Sequence, residues 1–324
     1  MQQERERMMT MTKIIDFFKK SSDARNYTIG GLVFMTVLAL ATLTQDGYPY
    51  SRTALDLGFA EVQWYAVFIL TGLSIAAFFA YEEFKRVGWN PDILFDGLLY
   101  AVPLSIVGSR LYYVIFDPNP DYRSFIDVIN ITNGGLSIHG AVITAFIFVI
   151  FFTKRKKLEF WVLADILAIG FLIGQIIGRW GNFMNAEAYG PAIESAWVLN
   201  LLPNFIKEQM TIGGIVHHPT FLYEGIWNFI GLVFLLIARR KRWFKVGDVM
   251  GLYLIWYGLG RGAIIEPLRT GGDPGDALRM FGLPTNILLS LTLFMLGGFA
   301  LILVKKYVIK DQKYYVDMLV EQHD

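Results

Sequence analysis

The sequence predicts an all-α integral membrane protein of about eight transmembrane helices with a small external cap. Three observations carry this reading. Of the 324 residues, 54% are hydrophobic and only 18% charged, too apolar a balance for a water-soluble domain of this length. Apolar runs long enough to cross a bilayer recur along the whole chain. The basic residues between those runs fall in alternate loops, as the positive-inside bias requires.

In chain order the runs cover residues 27–44, 61–81, 93–115, 136–153, 160–179, 219–238, 247–266 and 284–304. The first follows a charged leader and lacks a small-x-small cleavage site, so it reads as a retained span. Several contain Gly or Pro, which membrane helices tolerate. Between spans lie Lys85-Arg86, KRKK at 154–157, RRKR at 239–242 and Lys305-Lys306. The alternate loops hold only Arg52, Arg123, Lys207, Arg269 and Arg279. Eight spans place every strongly basic loop on the cytoplasmic side, and Lys19, Lys20 and Arg25 put the N-terminus there as well. Both termini are therefore expected inside. The basic runs read as topology signals and contacts for anionic lipid. The longest outward loop, 182–217, is expected to form the cap. The expected organisation is a leader and first span over 1–54, a membrane domain over 55–304 and a cytoplasmic tail over 305–324.

Several function classes drop out. A formal net charge of +1 gives no footprint for nucleic acid. The chain has no cysteine, so disulfides, thiol catalysis by its own side chains and cysteine metal sites are excluded. Its four histidines, His139, His217, His218 and His323, are too scattered for a metal cage. Neither HExxH nor GxxxxGK[ST] occurs. No metal and no cofactor is expected.

What remains is a set of costly residues at one end of several spans. The stretch Gly178–Gly190, GRWGNFMNAEAYG, follows one of the most apolar segments, and ionisable groups at the membrane edge are functional candidates by default. His139 begins the 136–153 span, Arg179 ends the 160–179 span, His218 and Glu224 begin the 219–238 span, and Arg261 and Glu266 end the 247–266 span. All of these ends share the outer leaflet. A spacing of three puts Arg179 and Asn182 on one helical face. Arginine grips phosphate with a bidentate fork and stays charged in a partly apolar site. Tyr257 and Arg261, four apart, also share a face. Glu266 is five beyond Arg261, about 500° of rotation, so the two meet only through a π-bulge or a break near Gly262 or before Pro267. His139 lies in GGLSIHGA, where Gly134 and Gly135 suit a tight turn or close approach of the backbone to a ligand. Histidine titrates near neutrality and is a natural general base, although a packing role also fits. A snorkelling arginine or a structural Arg–Glu pair would equally account for single residues of this set.

Taken together, these motifs resemble the bacterial prolipoprotein diacylglyceryl transferases. GRWGNFMNAEAYG is similar to the family signature. WYAVF at 64–68, GGLSIHGA, HPTFLYE and WYGLGRGAIIEPLR at 256–269 follow in the family's order, over roughly residues 55–304. The resemblance implies a seven-span core, to which the 27–44 span is an addition. It also implies transfer of a diacylglyceryl group from phosphatidylglycerol to the lipobox cysteine thiol of a prolipoprotein, giving a thioether and glycerol phosphate. That chemistry needs a base for a thiol of pKa near 8.5, positive charge for the phosphate and close positioning of lipid and peptide. On this expectation His139, Arg179, Arg261 and Glu266 are catalytic. Phosphatidylglycerol is bound by Arg179, Asn182, Asn185, Glu187, Gly190, Tyr65, Tyr257 and Arg261. Arg179 and Arg261 clamp the phosphate while Glu187 and Glu266 orient them. Two departures from the family pattern fall inside the motifs: Ala141 replaces a glycine, and one extra residue separates Arg261 from Glu266. A multi-span transporter of small solutes or lipid is the main rival reading, and an inactive binder of lipid or prolipoprotein a second.

Overall fold

The computed structural model describes residues 22–45, 47–58, 61–117, 122, 124–131, 134–270, 279–280, 282–308 and 313–319. Lys19, Lys20, Arg123 and His323 lie outside them. Seven helices among the described residues are long and apolar enough to cross a membrane: Arg25–Leu43, Trp64–Arg86, Asp92–Phe116, Ile138–Lys156, Phe160–Asn185, Thr220–Ala238 and Thr285–Val308. The expected run 247–266 is helical too. It is built as an α-helix Asp248–Leu259, a π turn Gly260–Ile265 and a further α turn Glu266–Thr270. Arg261, Glu266 and Arg269 add charge to this run, and it is the helix most concerned with the site. The chain is thus an all-α integral membrane protein, with strands only in three two-stranded hairpins among the described residues.

Two compact units divide the chain. One comprises Met1–Phe79, Ala168–Ala238 and Gly251–Lys310. The other comprises Ala80–Leu167, Arg239–Met250 and Asp311–Asp324.

Within the first unit, helix Thr220–Ala238 shows the pattern that membrane burial selects. Its buried stripe is Thr220, Phe221, Glu224, Asn228, Gly231, Leu235 and Ala238, at the 3–4 residue spacing of one helical face. Its exposed positions include Ile226, Phe229, Ile230, Val233, Phe234 and Ile237. Polar groups therefore point inward and apolar ones outward, the reverse of a water-soluble helix. A paired contact fixes this helix against Asp248–Leu259. Trp227 Nε1 donates to the Trp256 carbonyl and Trp256 Nε1 donates to the Trp227 carbonyl, both at 3.0 Å, with the rings stacked 4.3 Å apart. Each indole reaches its carbonyl over a glycine: a Cβ on Gly231 would lie 2.4 Å from Trp256 Nε1, and one on Gly260 2.1 Å from Trp227 Nε1.

The loop expected to form the cap holds a small folded segment of this unit. Helices Ala196–Leu201 and Asn204–Gln209 lead into the hairpin Thr211–Ile212/Ile215–Val216, whose turn residues Gly213 and Gly214 both have positive φ. Gln209 ties it down. Its Nε2 donates to the carbonyls of Phe183 and Met184 at 3.1 Å, and its Oε1 accepts from the Tyr50 amide at 2.6 Å. The last carbonyls of a helix have no partner in its regular α-helical ladder, and this one buried side chain serves two of them at the end of Phe160–Asn185.

Within the second unit, helices Asp92–Phe116 and Ile138–Lys156 approach at Gly108 and Gly140. A Cβ on Gly140 would sit 2.3 Å from the Gly108 carbonyl. A core of Phe84, Leu94, Val162, Leu163, Ile166 and Tyr315 closes this unit. The RRKR run departs from its expected role. Arg240 makes a bidentate pair with Glu83 at 2.7 and 2.5 Å, and Arg239, only 3% exposed, lies 3.4 Å from the same carboxylate. Tyr315 donates its hydroxyl to Glu83 at 2.8 Å. Half of this basic run is thus internal structure rather than lipid contact. A buried carboxylate demands countercharge, and nothing in the run's composition distinguishes an arginine that meets it from one that meets lipid.

Candidate active site

Three segments of the first unit bring charge together. Arg179 stands near the C-terminal end of helix Phe160–Asn185. Glu224 lies in the first turns of helix Thr220–Ala238, and Arg261 lies in the π turn. Glu224 joins the two arginines: Arg179 Nη2 lies 2.8 Å from its Oε1, and Arg261 Nη1 donates to its Oε2 at 2.9 Å. The first contact is an ion pair without hydrogen-bond alignment, the second is aligned. Glu224 is only 5% exposed, so both cations and the anion share a poorly hydrated space.

The π turn resolves the Arg261–Glu266 spacing. The Glu266 amide donates to the Arg261 carbonyl, five residues back. That register stacks the two residues one above the other, and Arg261 Nη2 lies 2.9 Å from Glu266 Oε2. In an ideal α-helix the pair would diverge. The extra residue is therefore absorbed as a bulge at the site itself. Asn286 donates to the other Glu266 oxygen at 3.0 Å, and Arg269 stands 3.8 Å from Oε2. Deleting Ala263 is expected to convert the bulge to a regular α turn with Arg261 and Glu266 four apart. The purified deletion variant should then unfold at close to the parent's temperature, because i,i+4 pairs also meet.

A narrow crevice runs beside this cluster, lined by Arg179, Asn182, Ala188, Thr220, Phe221, Glu224 and Arg269. Asn182 forms one wall. Its Oδ1 accepts from Arg179 Nη1 at 3.2 Å and its Nδ2 donates to Glu187 at 2.7 Å. Glu187 therefore acts on Arg179 only at one remove, through Asn182, and does not orient an arginine directly. The segment after the helix turns sharply, with positive φ at Ala186 and Ala188. Two hydrogen bonds hold that turn against the start of the next span. Thr220 donates its hydroxyl to the Ala188 carbonyl, and the Gly190 amide donates to the His218 carbonyl at 2.9 Å. A side chain at Gly190 would be tight, since a Cβ there would lie 3.0 Å from His218 Cβ. Burial, and then the neighbouring His217, hold His218 below the usual histidine range.

Tyr257 lies one helical turn before Arg261, and Tyr65 packs near the end of helix Phe160–Asn185. The Tyr65 ring packs on Gly181, where a Cβ would lie 2.5 Å from it. Tyr257 packs edge-on against Phe294 at 5.2 Å. Asn185 has a buried Oδ1 with no hydrogen-bond partner among the described residues. His139 belongs to the second unit. It is exposed at the start of helix Ile138–Lys156, with its ring 5.8 Å from Tyr112. The glycines before it form a tight turn around Arg110, which donates to the carbonyls of Asp127, Val128, Gly134 and Gly135 at 2.7–3.2 Å. Their positive φ serves that wrap.

Sequence reasoning noticed Glu224 but gave it no role, and it passed over Arg110 and Gln209. Glu224 had a signal: a carboxylate on the buried stripe of an otherwise apolar helix needs cationic partners.

Residues 52–303 match the family model described as prolipoprotein diacylglyceryl transferase. A phosphatidylglycerol–prolipoprotein diacylglyceryl transferase of Streptococcus agalactiae serotype Ia is 44% identical over 245 residues, 75% of this chain and 92% of the relative. A protein of the same name from Bacillus mycoides is 42% identical over 264 residues, 81% of this chain and 95% of the relative. With residues 52–303 inside that match and relatives this similar over most of both chains, the chain belongs to the prolipoprotein diacylglyceryl transferase family.

Proposed function

We propose that this protein transfers the diacylglyceryl group of phosphatidylglycerol to the lipobox cysteine thiol of a prolipoprotein, the first step of bacterial lipoprotein maturation. The thiolate sulfur attacks the glycerol carbon that bears the phosphate. An S–C bond forms, the C–O bond breaks with its electron pair going to oxygen, and glycerol phosphate leaves. The thiol proton passes to a base and balances the second charge that the phosphate gains.

The observation that carries this reading is Glu224 bridging Arg179 and Arg261, with Arg269 on the same crevice. Three arginines face two buried carboxylates, Glu224 and Glu266, which leaves one net positive charge. A phosphodiester carries one negative charge, and a leaving phosphate gains another, so this surplus favours the lipid and favours the departing group more. Arg179 and Arg261 bind the phosphate and stabilise it as it leaves. Glu224 and Glu266 hold them, and Asn182 with Glu187 fixes the Arg179 fork. Tyr65, Tyr257, Asn185 and Gly190 border the lipid site. His139 accepts the thiol proton or orients the group that does. The π turn keeps the Arg261–Glu266 contact despite the extra residue, which supports an active enzyme.

The test uses purified protein in detergent with phosphatidylglycerol and a lipobox peptide bearing one cysteine. Release of glycerol phosphate together with a diacylglyceryl mass increment on the peptide is expected, and a Cys→Ser peptide should be inert. Arg179→Ala and Arg261→Ala should each lower the rate about a hundredfold or more while the protein still folds. Full activity in either variant would overturn the clamp.

The protein is proposed to lie in the bacterial plasma membrane with both termini in the cytoplasm and the charged cluster toward the outer leaflet. The alternation of basic loops supports this orientation. A C-terminal fluorescent-protein fusion should glow and a C-terminal alkaline phosphatase fusion should stay inactive; the opposite pair of results would invert the topology.

A further inference from the structure

The interior of the first unit carries a second polar layer that the transfer reading leaves unused. Gln175 precedes Arg179 by four residues, Asn228 follows Glu224 by four, and Tyr253 precedes Tyr257 by four. All six lie in α-helical segments. A spacing of four stacks side chains on one helical face, one turn apart. Each step runs away from the helix end that carries the charges and into the span. Three site residues from three helices thus each have a neutral polar residue one turn deeper.

These positions are costly for amides. Asn228 is 1% exposed, and its Nδ2 has no hydrogen-bond partner among the described residues. Gln175 donates Nε2 to the Tyr253 hydroxyl at 2.9 Å, but its buried Oε1 has no partner among them. Buried polar groups are nearly always satisfied, and each exception asks for a reason. Lipid tails offer neither donors nor acceptors. Asn228 also shares the buried stripe of its helix with Glu224, so it faces the interior rather than the bilayer.

A phospholipid supplies what is missing at the right depth. Its ester carbonyls sit beyond the phosphate, further into the membrane, and one helical turn rises about 5.4 Å. With the phosphate on the arginines, the ester groups come level with Gln175, Asn228 and Tyr253. The Asn228 amide lacks an acceptor, the Tyr253 hydroxyl hydrogen is not used by the bond from Gln175, and an ester carbonyl is an acceptor for either. We propose that this layer is a binding subsite for the ester carbonyls of the diacylglyceryl group, with Asn228 as its principal donor. The proposal rests on phosphatidylglycerol being the lipid substrate.

The experiment compares diester phosphatidylglycerol with its dialkyl ether analogue, which keeps the headgroup and the reacting carbon but lacks both carbonyls. With wild-type protein, KM for the ether lipid should be about three- to tenfold higher, the size of one or two net hydrogen bonds. Asn228→Leu should raise KM for the diester lipid to the ether value and leave the ether KM unchanged. Its thermal stability should hold or rise, because an orphaned amide leaves the interior. Equal use of both lipids by the wild type would overturn the subsite, as would an Asn228→Leu variant that weakens both lipids alike. Gln175→Met, which loosens Tyr253, should narrow the diester preference and serves if Asn228→Leu fails to fold. Equilibrium binding of the two lipids without peptide separates the two readings. Diester preference in binding without any transfer would overturn the transferase and keep the subsite; equal binding with transfer would do the reverse.

Discussion

Replacing Glu224 by alanine is expected to lower transfer about a hundredfold or more, as much as removing either arginine. The side chain is 5% exposed and holds Arg179 and Arg261 at 2.8 and 2.9 Å. Without it two guanidinium groups, 21% and 11% exposed, face each other uncompensated by the carboxylate between them. Breaking a buried pair by removing one partner is strongly destabilising, because it leaves buried charge behind. The arginines would move apart, and a displacement of about 1 Å at a reacting centre can cost about a hundredfold. Glu224→Gln separates charge from shape. It raises the net charge of the five-residue cluster from one positive to two, so phosphatidylglycerol should bind more tightly while turnover falls. A lower KM with a lower kcat for the glutamine variant, measured by glycerol phosphate release, is the expected signature. An unchanged kcat would mean that Glu224 only fills space.

The spans were legible because hydropathy and basic loops are properties of composition, and lipid reads composition directly. Arg179, Asn182 and Arg261 were legible for a related reason: their cost in an apolar run marks them one at a time. Partnership was harder to see. Glu224 lies 45 residues from Arg179 and 37 from Arg261 in sequence, and only the packing of helix Thr220–Ala238 reveals that one carboxylate serves both. Glu187 was expected to orient an arginine, whereas the sharp turn at Ala186 and Ala188 delivers it to Asn182. The π turn lay between these cases. Counting rotation showed that Arg261 and Glu266 needed an irregular helix, but not which irregularity. Gly260 and Gly262 let Trp227 and Leu291 pack close against that turn, a tertiary contact that no local pattern announces.

In the second unit, Glu83→Ala is expected to destabilise the fold by about 3–5 kcal/mol, the largest stability effect of any single change considered. Glu83 is 1% exposed and gathers Arg240, Arg239 and Arg86, with the Tyr315 hydroxyl on the same carboxylate. Alanine would leave Arg239, 3% exposed, without this carboxylate in a place water hardly reaches. The contact with Tyr315 also anchors the chain beyond the last span. Val246 donates its amide to the Lys313 carbonyl at 3.0 Å, and Tyr315 donates its amide to the Phe244 carbonyl at 3.3 Å. Loss of Glu83 should therefore expose residues 313–319 to protease before the rest of the protein unfolds. Tyr315→Phe removes one hydrogen bond and keeps the ring, so it should cost only about 0.5–1.5 kcal/mol. Heat-induced unfolding in detergent, followed for both variants, gives the comparison. If Glu83→Ala lost no more than Tyr315→Phe, the Glu83 carboxylate would not be what holds these arginines in place.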